Sequence, residues 1–247
     1  MAEEKRVMYF YEKDAEKYEE ERFISERGRY QDITQKDIVF NMINSWENLN
    51  ILEVGCGTGR FSIEISKRGG VITALDPALS MLEKIKKRAN IKDGRIELVC
   101  GSGYELPFKD NSFDGCVCIN VLSHLPDYGE VFREIHRVLR PNAFFIFNFP
   151  NLYSLLLPAG LLVNLRKKSL INPVYTKWYM LRRIKNDLQV AGFRIKMMKG
   201  VLLPAINPIP LQIVKKLNEI SRDSALSLIH ISEPTRPRLI SYAVFCL

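Results

Sequence analysis

Residues 51–60 read ILEVGCGTGR, and this stretch decides the fold. Ile51–Val54 is a short apolar run of strand type that leads without a spacer into Gly55, Gly57 and Gly59. Phe61 and Ile65 follow at helical spacing, and Gly69-Gly70 ends that helix. Strand, glycine turn and helix in this order make a place where a ligand can approach the backbone closely, because glycine has no Cβ. The spacing is G-x-G-x-G, whereas the dinucleotide fingerprint is G-x-G-x-x-G. Cys56 and Thr58 fill the intervening positions, and Glu53 is a polar residue in a strand that otherwise reads as buried. Asp76 closes the next apolar run, Val71–Leu75, 19 residues after Gly57. A carboxylate at the carboxyl end of such a strand can accept both ribose hydroxyls of an adenosine cofactor. Asp76-Pro77 alone would also make a turn; loop and acid together favour a ligand site.

Outward from this stretch, apolar runs alternate with helical patterns. Ile96–Cys100, Phe113–Ile119 and Ala143–Phe149 read as further strands, with a helix through Leu82 and Ile85 and another over Val131–Leu139 stopped before Pro141. Trp178, Leu181, Ile184 and Leu188 form one face of a helix ended at Gly192, then a strand over Phe193–Met198 and an amphipathic helix over 209–222. This alternation predicts an α/β fold: a Rossmann-like, mostly parallel sheet with helices on both faces. Residues 8–30, rich in Tyr, Glu and Arg, read as a helical or irregular arm.

The chain has 247 residues, 47% hydrophobic and 26% charged, with a net charge of +8. This is a globular balance, and it excludes collagen-like and wholly disordered classes. No apolar run reaches the roughly 18–20 residues a membrane-spanning helix needs, and the charged N-terminus has no signal core, so a cytoplasmic location is expected. Five Cys without C-x-x-C spacing and only three His make a metal site improbable, and none is expected. The charge is uneven: about −3 over residues 1–150, about +9 over 151–200 and about +2 beyond. A uniformly basic nucleic-acid binder would differ, and no nucleic acid is expected as a partner.

The last 22 residues read differently. LSLIHISEPTR (226–236) and ISYAVFCL (240–247) together resemble the in-frame translation of a sequencing adapter. Residues 1–225 are therefore expected to form a single domain and 226–247 a non-native tail.

The motifs in order resemble those of the class I S-adenosylmethionine (SAM)-dependent methyltransferases. LEVGCGTGR is similar to their motif I and Asp76 to their second acidic motif. Leu106-Pro107-Phe108 with Asp110–Asp114 is similar to their L-P-F…D-x-S-F-D segment, Glu134–Pro141 to E-x-x-R-V-L-K-P, and Ala191-Gly192-Phe193 to the A-G-F before the sixth strand. The likeness is strongest to the small-molecule branch that holds the ubiquinone and menaquinone C-methyltransferases. It implies a seven-stranded sheet whose final, antiparallel strand is truncated here or replaced by the tail. It also implies SAM as cofactor, with Glu53, Gly55, Cys56, Gly57, Thr58 and Gly59 around its methionine part and Asp76 with Pro77 at the ribose. Ser102 and Gly103 would lie by the adenine, Asn120 and Val121 by the sulfonium, and Tyr11 or Tyr18 over the cofactor. Two departures stand out: Gly101-Ser102-Gly103 replaces the usual Gly-Asp-Ala, and Pro141-Asn142-Ala143 replaces Pro-Gly-Gly. Asn tolerates the left-handed conformation, so that turn can persist.

Methyl transfer from a sulfonium is an in-line displacement in which positioning does most of the work, and a base is needed only where the nucleophile must lose a proton. His124 is the candidate base, against packing beside the cofactor as its bland alternative. The expected function is methylation of a small-molecule acceptor, lipid-like, quinone or lipid-linked sugar. The alternatives are a non-catalytic SAM-binding module and an NAD-dependent oxidoreductase on a related fold. Residues 151–185, apolar from Leu152 to Leu165 and flanked by Arg166-Lys167-Lys168, read as a substrate-side cap with peripheral membrane contact, or as an ordinary buried helix.

Overall fold

The stretch ILEV forms strand β1 (Asn50–Val54) inside a sheet, with β2 (Val71–Asp76) and β4 (Phe113–Cys118) as parallel neighbours. β3 (Ile96–Cys100) pairs with β2, and β5 (Leu139–Pro150) with β4. With β6 (Arg194–Val201) and β7 (Ile240–Cys246) the order is β3-β2-β1-β4-β5-β7-β6. The computed structural model describes residues 2–88, 94–151, 177–201, 210–223 and 240–246. Most of the 151–185 segment lies outside them, as does the greater part of the last 22 residues.

The helices are α1 (Ala2–Asp14), α2 (Tyr18–Phe23), α3 (Glu26–Phe40), α4 (Ser62–Lys67), α5 (Leu79–Arg88), α6 (Tyr128–Val138), α7 (Leu181–Val190) and α8 (Leu211–Asp223). Strand β5 shows why helices cover both faces. Phe145, Phe147 and Phe149 pack with Phe132 of α6 and Ile184 and Leu188 of α7, while Phe144 and Ile146 pack with Trp46, Phe61 and Val39. Side chains alternate across a strand, so a strand apolar at every position needs cover on both sides. α6 starts at Tyr128, earlier than its apolar pattern indicates, because the Asp127 side chain accepts the Gly129 N–H at 3.0 Å and caps it. Asn142 sits at φ 64 within β5, the left-handed value that Asn tolerates better than most residues.

β7 corrects one expectation. Family resemblance implied an antiparallel final strand beside β5; β7 lies between β5 and β6 and runs parallel to both. The reason is the connection: α8 intervenes between β6 and β7, and a strand–helix–strand crossover returns the chain parallel. Its residues are those read as adapter-derived, and the β-branched Ile240 and Val244 with the aromatic Tyr242 and Phe245 are residue types that suit a strand.

The chain runs from β1 outward to β3, then crosses to β4 on the other side of β1. The carboxyl ends of β1 and β4 therefore flank a switch point, where open α/β sheets bind ligands. Among the described residues, no helix is long and apolar enough to cross a membrane.

Candidate active site

A cleft of about 830 Å³, counting the solvent at its mouth, opens at that switch point. Gly55 and Gly57 form its floor, Asp76 and Pro77 one wall, Ser102 and Gly103 a second, and Asn120, Val121 and His124 a third. Tyr11 and Tyr18 close it from the N-terminal arm. The glycines have separate reasons. At Gly55 (φ 71) a Cβ would stand 2.4 Å from Val121 Cγ2, so the strand end can approach β4 only without a side chain. At Gly57 (φ 52) a Cβ would meet nothing within 4 Å. That position is open toward the cleft, as a backbone that meets a ligand must be.

Asp76 is 7% exposed, and its two oxygens accept the N–H groups of Gly57 (2.8 Å) and Ala78 (2.9 Å). Burial raises its pKa to about 6, opposed by those two bonds. Two lone pairs remain for hydroxyl donors, which fits the ribose of a nucleoside cofactor.

Other residues singled out in the glycine motif do not reach the cleft wall. Glu53 is buried behind the loop, where it accepts the Ser62 hydroxyl at the start of α4. Thr58 donates to Glu19 at 2.7 Å. Cys56 and Gly59 face the core, where a Cβ at Gly59 would stand 2.7 Å from Ile85 Cγ1. Burial pushes the Glu53 carboxyl up to about 8, against the Ser62 hydrogen bond and the Arg60 charge. The folded chain thus keeps this proton over about pH 4.5 to 8, where the unfolded chain releases it, so ionisation costs stability as pH rises through that window. Glu53→Gln should match the wild type in thermal midpoint near pH 5 and exceed it near pH 8. Midpoints that keep a constant difference across calorimetric scans at both pH values would remove Glu53 as the source.

The arm is held by a row of pairs along α5. Glu12 accepts the Ser80 N–H, Glu16 pairs with Lys84 at 2.8 Å, and Glu19 pairs with Arg88. Tyr11 reaches across the cleft, its hydroxyl 3.0 Å from His124 Nε2. Burial raises the Tyr11 phenol pKa strongly, so it stays a proton donor at neutral pH. With the phenol donating, His124 is held in the tautomer whose Nε2 is bare. His136, by contrast, packs edge-on to Phe193 away from the cleft, and burial lowers its pKa.

Parts of the wall were not legible in advance. Val7 and Met8 of the arm, Met81, Tyr104 and Leu125 line it with apolar surface. Behind it, Gln35 and Asn148, both buried, bond the Asn120 side chain. Gln35 sits in a polar helix and gives no local signal, whereas Asn148 is polar within the apolar run Ala143–Phe149.

A strand order with its switch point at β1 and β4, a glycine loop and an acid at the end of β2 define a Rossmann-like nucleoside-cofactor domain. Residues 52–147 match the methyltransferase-domain family. The chain is 40% identical over 96 residues to the demethylmenaquinone methyltransferase of Listeria welshimeri, covering 37% of this chain and 41% of that one. It is 34% identical over 115 residues to the 24-methylenesterol C-methyltransferase 2 of Arabidopsis thaliana, covering 45% and 32%. The chain thus spans less than half the length of these curated relatives. A SAM-dependent methyltransferase structure from Thermotoga maritima superposes with a TM-score of 0.62 at 21% identity, covering 75% of this chain and 81% of that one, a likeness of fold.

Proposed function

We propose that this chain transfers the methyl group of SAM to a small-molecule acceptor. The observation that carries the reading is Asp76, buried at the end of β2 and facing a cleft floored by Gly57, within a stretch that matches the methyltransferase domain. The residues fit SAM: Gly57 leaves open space where a side chain would intrude, and Asp76 offers charged acceptors for two hydroxyls. Ser102 and Gly103 would flank the adenine, and Tyr11 and Tyr18 would exclude water from above. When bound, the cofactor supplies a methyl group already activated on a sulfonium.

The chain's own part is to orient and to take a proton. His124 acts as the base through Tyr11 for an acceptor that must lose a proton as it is methylated: the Tyr11 oxygen takes that proton as its own hydroxyl proton passes to His124 Nε2. The apolar wall of Val7, Met8, Met81 and Leu125 favours an apolar acceptor, and the relatives named above carry quinone and sterol acceptors in their names. Calorimetric titration tests the reading. S-adenosylhomocysteine should bind with a one-to-one stoichiometry and NAD should not; tight NAD binding would favour the oxidoreductase reading instead. A SAM-binding module without catalysis would bind equally well but turn over no acceptor in a radiolabelled-methyl screen.

For an apolar acceptor, residues 151–185 are proposed as a cap that touches a membrane surface, with residues 1–225 as one domain. Sedimentation with anionic vesicles should then carry the protein down at low salt and release it at high salt. Absence of binding at low salt would reject membrane contact.

A further inference from the structure

Asn120 has a backbone and a side chain with separate duties. Asn120 lies on the cleft wall beside Val121, and its backbone holds φ 64, an uncommon value for a residue other than glycine. Its side chain is spent elsewhere. Asn120 Oδ1 accepts from Gln35 Nε2 at 3.1 Å and from Asn148 Nδ2 at 2.8 Å, while its Nδ2 donates to Gln35 Oε1 at 3.4 Å. Asn148 Oδ1 in turn accepts the Asn120 N–H at 2.6 Å. Gln35 also accepts from Arg60 at 3.1 Å, and Arg60, the last residue of the glycine motif, is fixed by Asp32 at 2.6 Å. Gln35 and Asn148 are 2% and 4% exposed.

The consequence runs along the chain. Asn120 turns the exit of β4, and the next residue, Val121, fills the space left by Gly55. The Val121 carbonyl then accepts the His124 N–H at 2.8 Å and sets the short turn that presents the imidazole. A relay from α3 therefore fixes both the methionine side of the cleft and the candidate base without touching either.

We infer that Gln35 and Asn148 are positioning residues for methyl transfer, acting through the left-handed turn at Asn120. The inference rests on the methyltransferase reading and goes beyond it in naming residues that contact no ligand. The relay's hydrogen bonds run among Asp32, Gln35, Arg60, Asn120 and Asn148, whereas Asp76, Ser102 and Gly103, at the adenosine end of the cleft, stand at or just past the ends of β2 and β3. A displaced Asn120–Val121 turn should hence weaken S-adenosylhomocysteine and spare adenosine.

The test uses Gln35→Met and Asn148→Leu, singly and together, in the full chain, with calorimetric titration of S-adenosylhomocysteine and of adenosine and a thermal scan of each variant. Each single variant should lose about tenfold in S-adenosylhomocysteine affinity, the size of one hydrogen-bonded arrangement. Adenosine affinity should hold within about twofold. The double variant should lose little more than either single, because both act through one residue. Equal loss of both ligands, or loss of neither, overturns the inference. If one variant fails to fold, the other still carries the ratio of the two affinities. A wild type that binds neither ligand overturns the methyltransferase reading, and the inference with it.

Discussion

Asp76→Ala should weaken S-adenosylhomocysteine binding by about 10²–10⁴-fold, the larger of the two functional effects expected here. The carboxylate is buried, so its hydrogen bonds to two ribose hydroxyls would form in a medium that screens them poorly. Bonds to a charged group contribute about 1.5–3 kcal/mol each, and two are lost. The variant also strands the Gly57 and Ala78 N–H groups that Asp76 now satisfies, which loosens the glycine loop itself. A pH series sharpens the test. Burial holds the Asp76 pKa at about 6, so the carboxylate is ionised at pH 8 and mostly protonated at pH 5. Wild-type affinity should accordingly fall as pH drops through 6, and Asp76→Asn should show a flatter, lower curve. Titration calorimetry at pH 8 reads the main effect; a loss of threefold or less would mean that Asp76 does not hold the ribose.

Legibility in the sequence followed distance along the chain. β1, the glycine loop and Asp76 fall within residues 50–76 and announce themselves through local pattern: an apolar run, closely spaced glycines, and an acid closing a strand. The relay of Gln35, Asn120 and Asn148 joins residues 85 and 28 positions apart, and although Asn148 is polar within an apolar run, nothing local says which distant groups it meets. Periodicity reports which face is buried, and it is blind to which polar group waits on that face. The same blindness explains Glu53. Its place in the motif marked it as unusual, but only packing shows that it faces Ser62 rather than the cleft. β7 shows the converse. Its position beside β5 followed from an apolar pattern and an available edge, whereas its direction depended on α8, a helix between it and β6.

Phe132→Ala should destabilise the fold by about 3–5 kcal/mol, the largest stability effect expected from a single truncation. Phe132 is fully buried on α6, with its ring centroid 5.3 Å from those of Tyr128 and Phe147 and 5.6 Å from that of Phe145. Removing the ring leaves a void between helix and sheet that neighbouring rings on a β-strand cannot collapse to fill, and edge-to-face contacts go with it. For a chain of this size the thermal midpoint should fall by about 6–20 °C. The exposed Ile213→Ala on α8 serves as control and should change stability by about 0.5 kcal/mol or less. The loss should also reach the cleft. α6 carries Glu134, which accepts the Leu106 N–H at 2.9 Å, and Arg137, which donates to the carbonyls of Leu106 (2.9 Å) and Phe108 (2.8 Å). Those bonds hold the Leu106-Pro107-Phe108 segment just after Tyr104 on the cleft wall. A helix set loose at Phe132 would let that wall move, so adenosine affinity should fall together with the midpoint, unlike the selective loss expected at Gln35. Denaturant titration and adenosine binding measured on the same variant decide the matter: a destabilisation below about 1 kcal/mol would show that the site repacks without cost, and full adenosine affinity at lowered stability would separate α6 from the cleft.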